Sequence, residues 1–281
     1  MAIADYATYQ AKRASPDYIL RYTKIPQAGV VGRLYSLWTC APLALAGAIP
    51  TTPAVPTKAT QGALVDCSSS ILPAMTSPRI VGIRGSTDAT VSTTARGTYV
   101  LVDMLSHQGG MNAGLSGVQT TNLPTAAITR GTGAGCFIGI EIYAQIGATQ
   151  TTFTANYTNS DGVAGRETTG ILFGGTGFRE VDRFFWLPLA DGDTGVNSVE
   201  SVTVTASTTL GGNFGVGIYR PLATLANLVN NGDNAQFDWD PILNNGGICP
   251  RFDPDACLML LGMSEGSGTG VLDLEILIAE D

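Results

Sequence analysis

The sequence predicts an all-β protein, an antiparallel β-sandwich or jelly roll with an N-terminal arm and long Gly/Pro/Thr loops. Three observations predict it. Short segments rich in Val, Ile, Thr and aromatic residues recur along most of the 281 residues. Gly, Asn and Asp punctuate them, with 35 Gly and 14 Pro in the chain. Long apolar stretches at helical spacing are almost absent, and no repeat of fixed period points to a propeller or solenoid.

The elements follow in order. Residues 3–13 suit a short helix: Ala is frequent, Gly and Pro are absent, and Lys12 and Arg13 fall where a helix dipole favours cations. Pro16 ends it. Residues 18–22 and 30–39 read as strands. Residues 49–60, with Pro50, Pro53 and Pro56 among threonines, read as extended chain unsuited to a helix or a central strand. Short strands are expected at 79–84 and 99–105, then a Gly-rich loop at 106–119. Residues 135–146 form a strong strand candidate, paired with the Thr-rich 149–158. Asn159-Ser160-Asp161-Gly162 turns the chain into 167–173. An aromatic run follows at 183–189. Residues 198–206 alternate Val199, Val202 and Val204 with Glu200, Thr203 and Thr205, the pattern of a half-buried antiparallel strand. A strand at 214–220, a helical excursion at 221–229, and strands at 257–263 and 271–279 complete the reading. The organisation expected is an arm over residues 1–24 and a single β domain over 25–281, with the Pro/Thr segment leaving it at 49–60.

Charge narrows the function classes. Only 14% of residues are charged, the net charge is −8 and there are 15 Lys plus Arg. Nucleic-acid binding needs clustered cations, and the nearest approach here, Lys12, Arg13, Arg21, Lys24 and Arg33, is spread out and interrupted by Asp17. Mean hydropathy is positive at +0.18. Yet the most apolar runs, 41–50 and 256–263, are much shorter than the ~20 residues of a spanning helix. No membrane partner and no secretory signal are expected. Cysteines at 40, 67, 136, 249 and 257 form no CxxC and mostly adjoin apolar runs, which suggests buried free thiols, with a Cys249–Cys257 bridge left open.

Catalytic patterns are sparse. His107 is the single histidine, which removes HExxH and multi-histidine metal sites; it reads as a polar loop residue. Gly262-Met263-Ser264-Glu265-Gly266 matches a nucleophile elbow in letters but lacks a following helix and a later His. Gly131-Thr132-Gly133-Ala134-Gly135 opens a strand, not the helix of a dinucleotide site. The loops Asp191-Gly192-Asp193, Asp233 with Asp238 and Asp240, and Asp253-Pro254-Asp255 could supply two carboxylates for glycoside hydrolysis, or oxygens for calcium, with Trp239 to stack on a sugar. Such clusters are also ordinary turn vocabulary. The reading is therefore no enzyme, no catalytic residue, no metal and no cofactor.

Several phrases carry a resemblance: Tyr35-Ser36-Leu37-Trp38, Ser106-His107-Gln108-Gly109-Gly110, Thr120-Thr121-Asn122-Leu123-Pro124, Gly175-Thr176-Gly177-Phe178-Arg179-Glu180, Leu187-Pro188-Leu189, Asp191-Gly192-Asp193-Thr194-Gly195 and the closing Ile278-Ala279-Glu280-Asp281. With the Pro/Thr stretch, they resemble virion structural proteins of tailed bacteriophages, of the head-decoration or cement type. The resemblance implies a capsid-surface location after assembly in the host cytoplasm. It also implies contact with a major capsid protein and with neighbouring copies, as a homo-trimer. The segments expected to leave the body and lie on neighbours are the arm, through Tyr6, Tyr9, Lys12, Arg13 and Arg21, and the strap, through Pro50, Pro53 and Pro56. The alternative is a tail or spike module that grips a glycan through loops and Trp239.

Overall fold

A computed structural model describes residues 5–25, 30–40, 46–64, 73–88, 97–121, 123, 128–227, 235–237, 250–264 and 271–280. It is all-β and antiparallel, as the sequence predicts. Among the described residues one helix, α1 (Tyr6–Ala14), precedes strands β1 (Tyr18–Lys24), β2 (Leu34–Ser36), β3 (Pro78–Asp88), β4 (Gly97–Met111) and β5 (Gly117–Thr120). Then come β6 (Phe137–Ala144), β7 (Thr151–Asn159), β8 (Arg166–Glu167), β9 (Ile171–Phe173) and β10 (Phe184–Leu187). The last are β11 (Val196–Val204), β12 (Asn213–Asn227), β13 (Ala235–Phe237), β14 (Leu258–Ser264) and β15 (Val271–Glu280).

Three sheets result. The central one has six strands in the order β10-β6-β12-β4-β14-β2. The terminal sheet runs β1-β15-β3-β13, and the third runs β5-β11-β7-β8 with β9 also on β7. The long pair β4 and β12 joins two sandwiches. Near one end, Tyr99, Leu101, Leu222 and Leu225 pack with Leu20, Ile80, Leu274 and Ile276 of the terminal sheet. Towards the other, Leu105, Met111, Phe214, Val216 and Ile218 pack with Phe153, Tyr157, Val199 and Val202 of the third sheet. A further apolar layer, including Trp38, Met104, Phe137, Tyr143, Phe184 and Tyr219, includes residues on the opposite face of the central sheet.

The helix forms where expected. Asp5 caps it, its Oδ1 accepting from the Thr8 N–H at 2.7 Å, and Lys12 and Arg13 occupy the last turn. Its inner face packs on the chain's own terminal sheet. Tyr9 is 0% exposed, lies against Val81, Leu277 and Ala279, and its hydroxyl donates to the Val81 carbonyl at 3.2 Å. Strand β1 pairs along its length with β15, Tyr18 opposite Ile278 through Lys24 opposite Leu272. The arm thus docks on its own chain, because β15 offers an open edge and the sheet's outer face an apolar patch.

The strap docks too. Strand β14 lies along β4 only over residues 97–103. Beyond it, the strap supplies the missing partner: Ala54 and His107 exchange both backbone hydrogen bonds at 3.0 Å, and the Gly109 N–H donates to the Pro50 carbonyl at 2.6 Å. Proline is tolerated there because an edge segment need not use every N–H. Pro56 is buried and its carbonyl accepts from Arg130 Nη1 at 2.6 Å.

Four further expectations change. Residues 221–227 extend β12 and are not helical; Pro221 fits because it flanks a register irregularity, between Pro221 and Ala223. The stretch 106–111 is strand, with Ser106, His107 and Gln108 buried between β12 and the strap. In the 30–39 stretch only Leu34–Ser36 is strand, after a turn at Gly32 (φ 73°). The 167–173 stretch splits because the Thr168 and Thr169 N–H groups turn to the Ala155 and Pro188 carbonyls.

Candidate functional site

The outer face of the third sheet is a regular surface built on five strands. Inward residues Phe153, Ala155, Tyr157, Val202 and Val204 are fully buried, so alternation points their neighbours outward. Register then lays these in rows: Thr120, Ser201 and Asn156; Val118, Thr203 and Thr154; Thr205, Thr152 and Leu172. None carries a charge. Val118 is 69% and Leu172 51% exposed, at opposite margins. Charge begins at the rim, at Glu167 opposite Asn156 and at Glu200, whose Oε1 accepts from Thr158 and Ser198 at 2.7 Å.

On the central sheet's opposite face lies a buried polar layer that the sequence reading missed. Gly217 pairs with both His107 and Gly139, and Gly215 with Glu141. A side chain at Gly139 would strike the rings of Phe184 and Tyr219. Two residues on along β6 is Glu141, 1% exposed, beside Ser36, Tyr143 and Asp182. Burial pushes its carboxyl up to about 8. Asp182 is fully buried with φ 61°, a strained conformation for a residue with a side chain. Its N–H donates to the Ile142 carbonyl at 2.7 Å, its carbonyl accepts from Ser36, and Thr39 donates to its carboxylate. His107 belongs to the same face, 2% exposed and edge-on to Trp38 at 5.5 Å. Burial lowers its pKa to about 4, so it is a neutral strand residue and not the polar loop residue expected.

Nearby, Arg130 joins the strap to β4. Its Nη2 donates to Asp103 Oδ1 at 2.6 Å and to the Met104 carbonyl at 2.9 Å. Asp103 Oδ1 also accepts from the Cys257 N–H at 2.9 Å. Burial raises the Asp103 pKa against the pull of Arg130.

A depression of about 480 Å³ opens beside β10, lined by Phe137, Trp186, Leu187, Asp191, Asp193 and Thr194 among others. Trp186 is 41% exposed and stacked on Phe137 with 16° between planes. Asp193 is fixed by Tyr157 (2.5 Å), Asn159 (2.8 Å) and Arg166 (2.8 Å), which hold its carboxyl down at about 2.

The residues chosen from sequence separate into two groups. Tyr6 (46% exposed) and Arg21, which pairs with Glu275 at 2.8 Å, lie on the surface of the docked arm. Lys12 pairs with Asp17, and Arg13 is half-buried. Tyr9 and Pro56 are covered by the chain itself, and Pro50 and Pro53 are half-buried in the strap. Cys40, Cys136 and Cys257 are buried free thiols. Cys67, Cys249, Asp233, Asp238, Trp239 and Asp240 lie outside the described residues, as does the Glu265-Gly266 end of the elbow match. Among the described residues, no helix is long and apolar enough to cross a membrane.

No family model matches the chain, and no curated protein matches it. Among solved structures it is similar to that of the infectious bursal disease virus Gx strain, at 8% identity over 99% of this chain and 86% of that chain, with a TM-score of 0.20. The VP2 subviral particle of the same virus matches at 7% identity over 94% of this chain and 81% of that one, with a TM-score of 0.18. Both TM-scores lie below those that mark a shared fold.

Proposed function

We propose that the chain is a non-enzymatic structural subunit of a virus particle, of the tailed-phage decoration type, which stabilises a capsid by covering seams between major capsid proteins. The observation that carries this reading is the uncharged outer face of the third sheet. A chain of net charge −8 repels its own copies and other acidic shells. A flat face of Thr, Ser, Asn and exposed aliphatics loses little desolvation energy when another protein covers it. The capsid surface is the expected location, with copies arranged as a trimer. The docked arm and strap leave that task to the sheet face and to the exposed side chains Tyr6 and Arg21.

The test is attachment to particles. Purified heads are expected to carry the protein, and heads lacking it to break at a lower temperature. Thr154→Lys with Thr203→Glu is expected to leave the fold intact and abolish attachment. Heads that lack the protein yet withstand heat equally well overturn the stabilising role.

A further inference from the structure

We propose that the depression beside β10 is a binding site for a neutral saccharide ring, with Trp186 as the stacking platform and Asp191 as the hydroxyl acceptor. This inference is independent of the capsid reading. Aromatic rings form a stack across three neighbouring strands: Tyr219 of β12, Phe137 of β6 and Trp186 of β10, with Phe137 to Tyr219 at 5.5 Å and 22°. The inner two are buried. The outermost, Trp186, ends the stack at the sheet's edge and leaves 41% of its surface open. An indole held flat by a ring behind it is preorganised and loses little freedom when a ligand covers it.

The opposite wall is the loop of residues 187–194, and its chemistry is divided. Leu187, Pro188 and Leu189 give an apolar margin. Asp193 is spent on Tyr157, Asn159 and Arg166, which fix the loop. Asp191 is exposed and, among the described residues, its carboxylate has no hydrogen-bond or ion-pair partner, while its backbone carbonyl accepts from Arg166 at 3.2 Å. Thr194 adds an exposed hydroxyl. Among the described residues no Lys or Arg lines the depression, and Arg166, which bonds two lining residues, is engaged by the Asp193 carboxylate and the Asp191 carbonyl, so little counter-charge is free for an anion. A lone exposed carboxylate is a weak, salt-screened anchor for a cation. A sugar uses every feature: its C–H face covers the indole, and its hydroxyls donate to Asp191 and exchange with Thr194. The volume of about 480 Å³ suits a mono- or disaccharide.

The full chain is titrated by calorimetry and ligand-observed NMR with the methyl glycosides of glucose, galactose, mannose and N-acetylglucosamine, each to ~50 mM, with choline as a cationic comparison. At least one glycoside is expected to bind with a Kd on the order of 1 mM. Trp186→Ala is expected to weaken it at least ~10-fold and Asp191→Asn ~3–10-fold, each with an unchanged melting temperature. Trp186→Phe, which keeps a ring on the stack, is expected to retain part of the affinity. Absence of binding across the four glycosides overturns the site. Binding unaffected by both Asp191→Asn and Trp186→Phe/Ala overturns its placement, and binding of choline in place of sugar overturns the ligand class. Asp191 sits in an exposed loop, so its variant keeps the test decisive even where Trp186→Ala fails to fold.

Discussion

The two sandwiches share one central sheet but are built differently. The terminal-sheet half collects β1, β3, β13 and β15 from both ends of the chain, with Arg21 bonded to Glu275 across 254 residues. Its core is mainly leucine and isoleucine: Leu20, Ile80, Leu101, Leu258, Leu274 and Ile276. The third-sheet half takes β5, β7, β8, β9 and β11 from one continuous stretch. Its core combines valine and isoleucine with interlocked rings, Phe173 lying 5.0 Å from Phe153, 5.2 Å from Phe214 and 5.8 Å from Phe185. One half therefore depends on closing a very long loop, and the other on shorter closures plus dense packing. Long-range closure is slow and comes at a higher entropic cost.

Four changes test this contrast, taken from the largest expected effect. Phe173→Ala removes the hub of the ring cluster and is expected to cost about 3–5 kcal/mol, read by denaturant unfolding. Its effect should centre on the third sheet, with faster hydrogen exchange in β7 and β11 than in β3. Equal acceleration in all three sheets would show one cooperative unit in place of two distinct halves. Arg130→Ala leaves the Asp103 carboxylate buried without its partner and frees Pro56, so a loss of about 3 kcal/mol or more is expected, with the strap opening to proteolysis. Intact resistance to protease would show that the strap is held by its edge pairing alone.

The third is pH. Glu141 has its folded pKa raised from 4.5 to about 8. Its contribution is fully present below 4.5, where both states are protonated, and is lost as pH rises towards 8. His107 has its folded pKa lowered from 6.5 to about 4, so its contribution is present above 6.5 and is lost as pH falls towards 4. Glu141→Gln is expected to remove the decline in melting temperature between pH 4.5 and 8 and to leave the His107-linked loss between pH 6.5 and 4 in place. An unchanged decline between pH 4.5 and 8 would refute the burial of an ionisable group there. The smallest effect belongs to the arm: Tyr9→Phe deletes one buried hydrogen bond to Val81 and is expected to cost about 1 kcal/mol. Native-state exchange should localise that loss to α1 and β1.

Much of the third sheet was legible. The alternation Val199, Val202, Val204 describes one buried strand face and the turn Asn159-Ser160-Asp161-Gly162 the local pairing of β7 with β8, and such local features are what a linear pattern encodes. Element ends were legible where a Pro or Gly has a single use, as Pro16 after α1. The long strands were not. In β4 the Ser106-His107-Gln108-Gly109-Gly110 run looks like a loop because its burial is imposed by β12 and by the strap, 50 residues upstream in the chain. The destination of the arm was hidden for the same reason, since an amphipathic helix and a free edge strand look alike whether they dock at home or on a neighbour. The face of the third sheet could have been found from the Thr alternation. The Trp186 depression could not, because it depends on Phe137 standing behind the indole. Nothing in the sequence marked Glu141 and Asp182 as neighbours; only the pairing of β6 with β10 and the turn at Asp182 brings them together.

The pair β4 and β12 extends for 15 residues each, a span of ~50 Å at the usual strand rise. Each strand runs unbroken from one core to the other. A pull that separates the ends of this ribbon acts along its strands, so its cross-links resist in shear, many at once, and do not peel one by one. A subunit bonded to a shell through one sandwich would pass strain to the other along a single continuous tendon. Stretching one molecule between its two sandwiches should thus give one high-force rupture in place of two small ones.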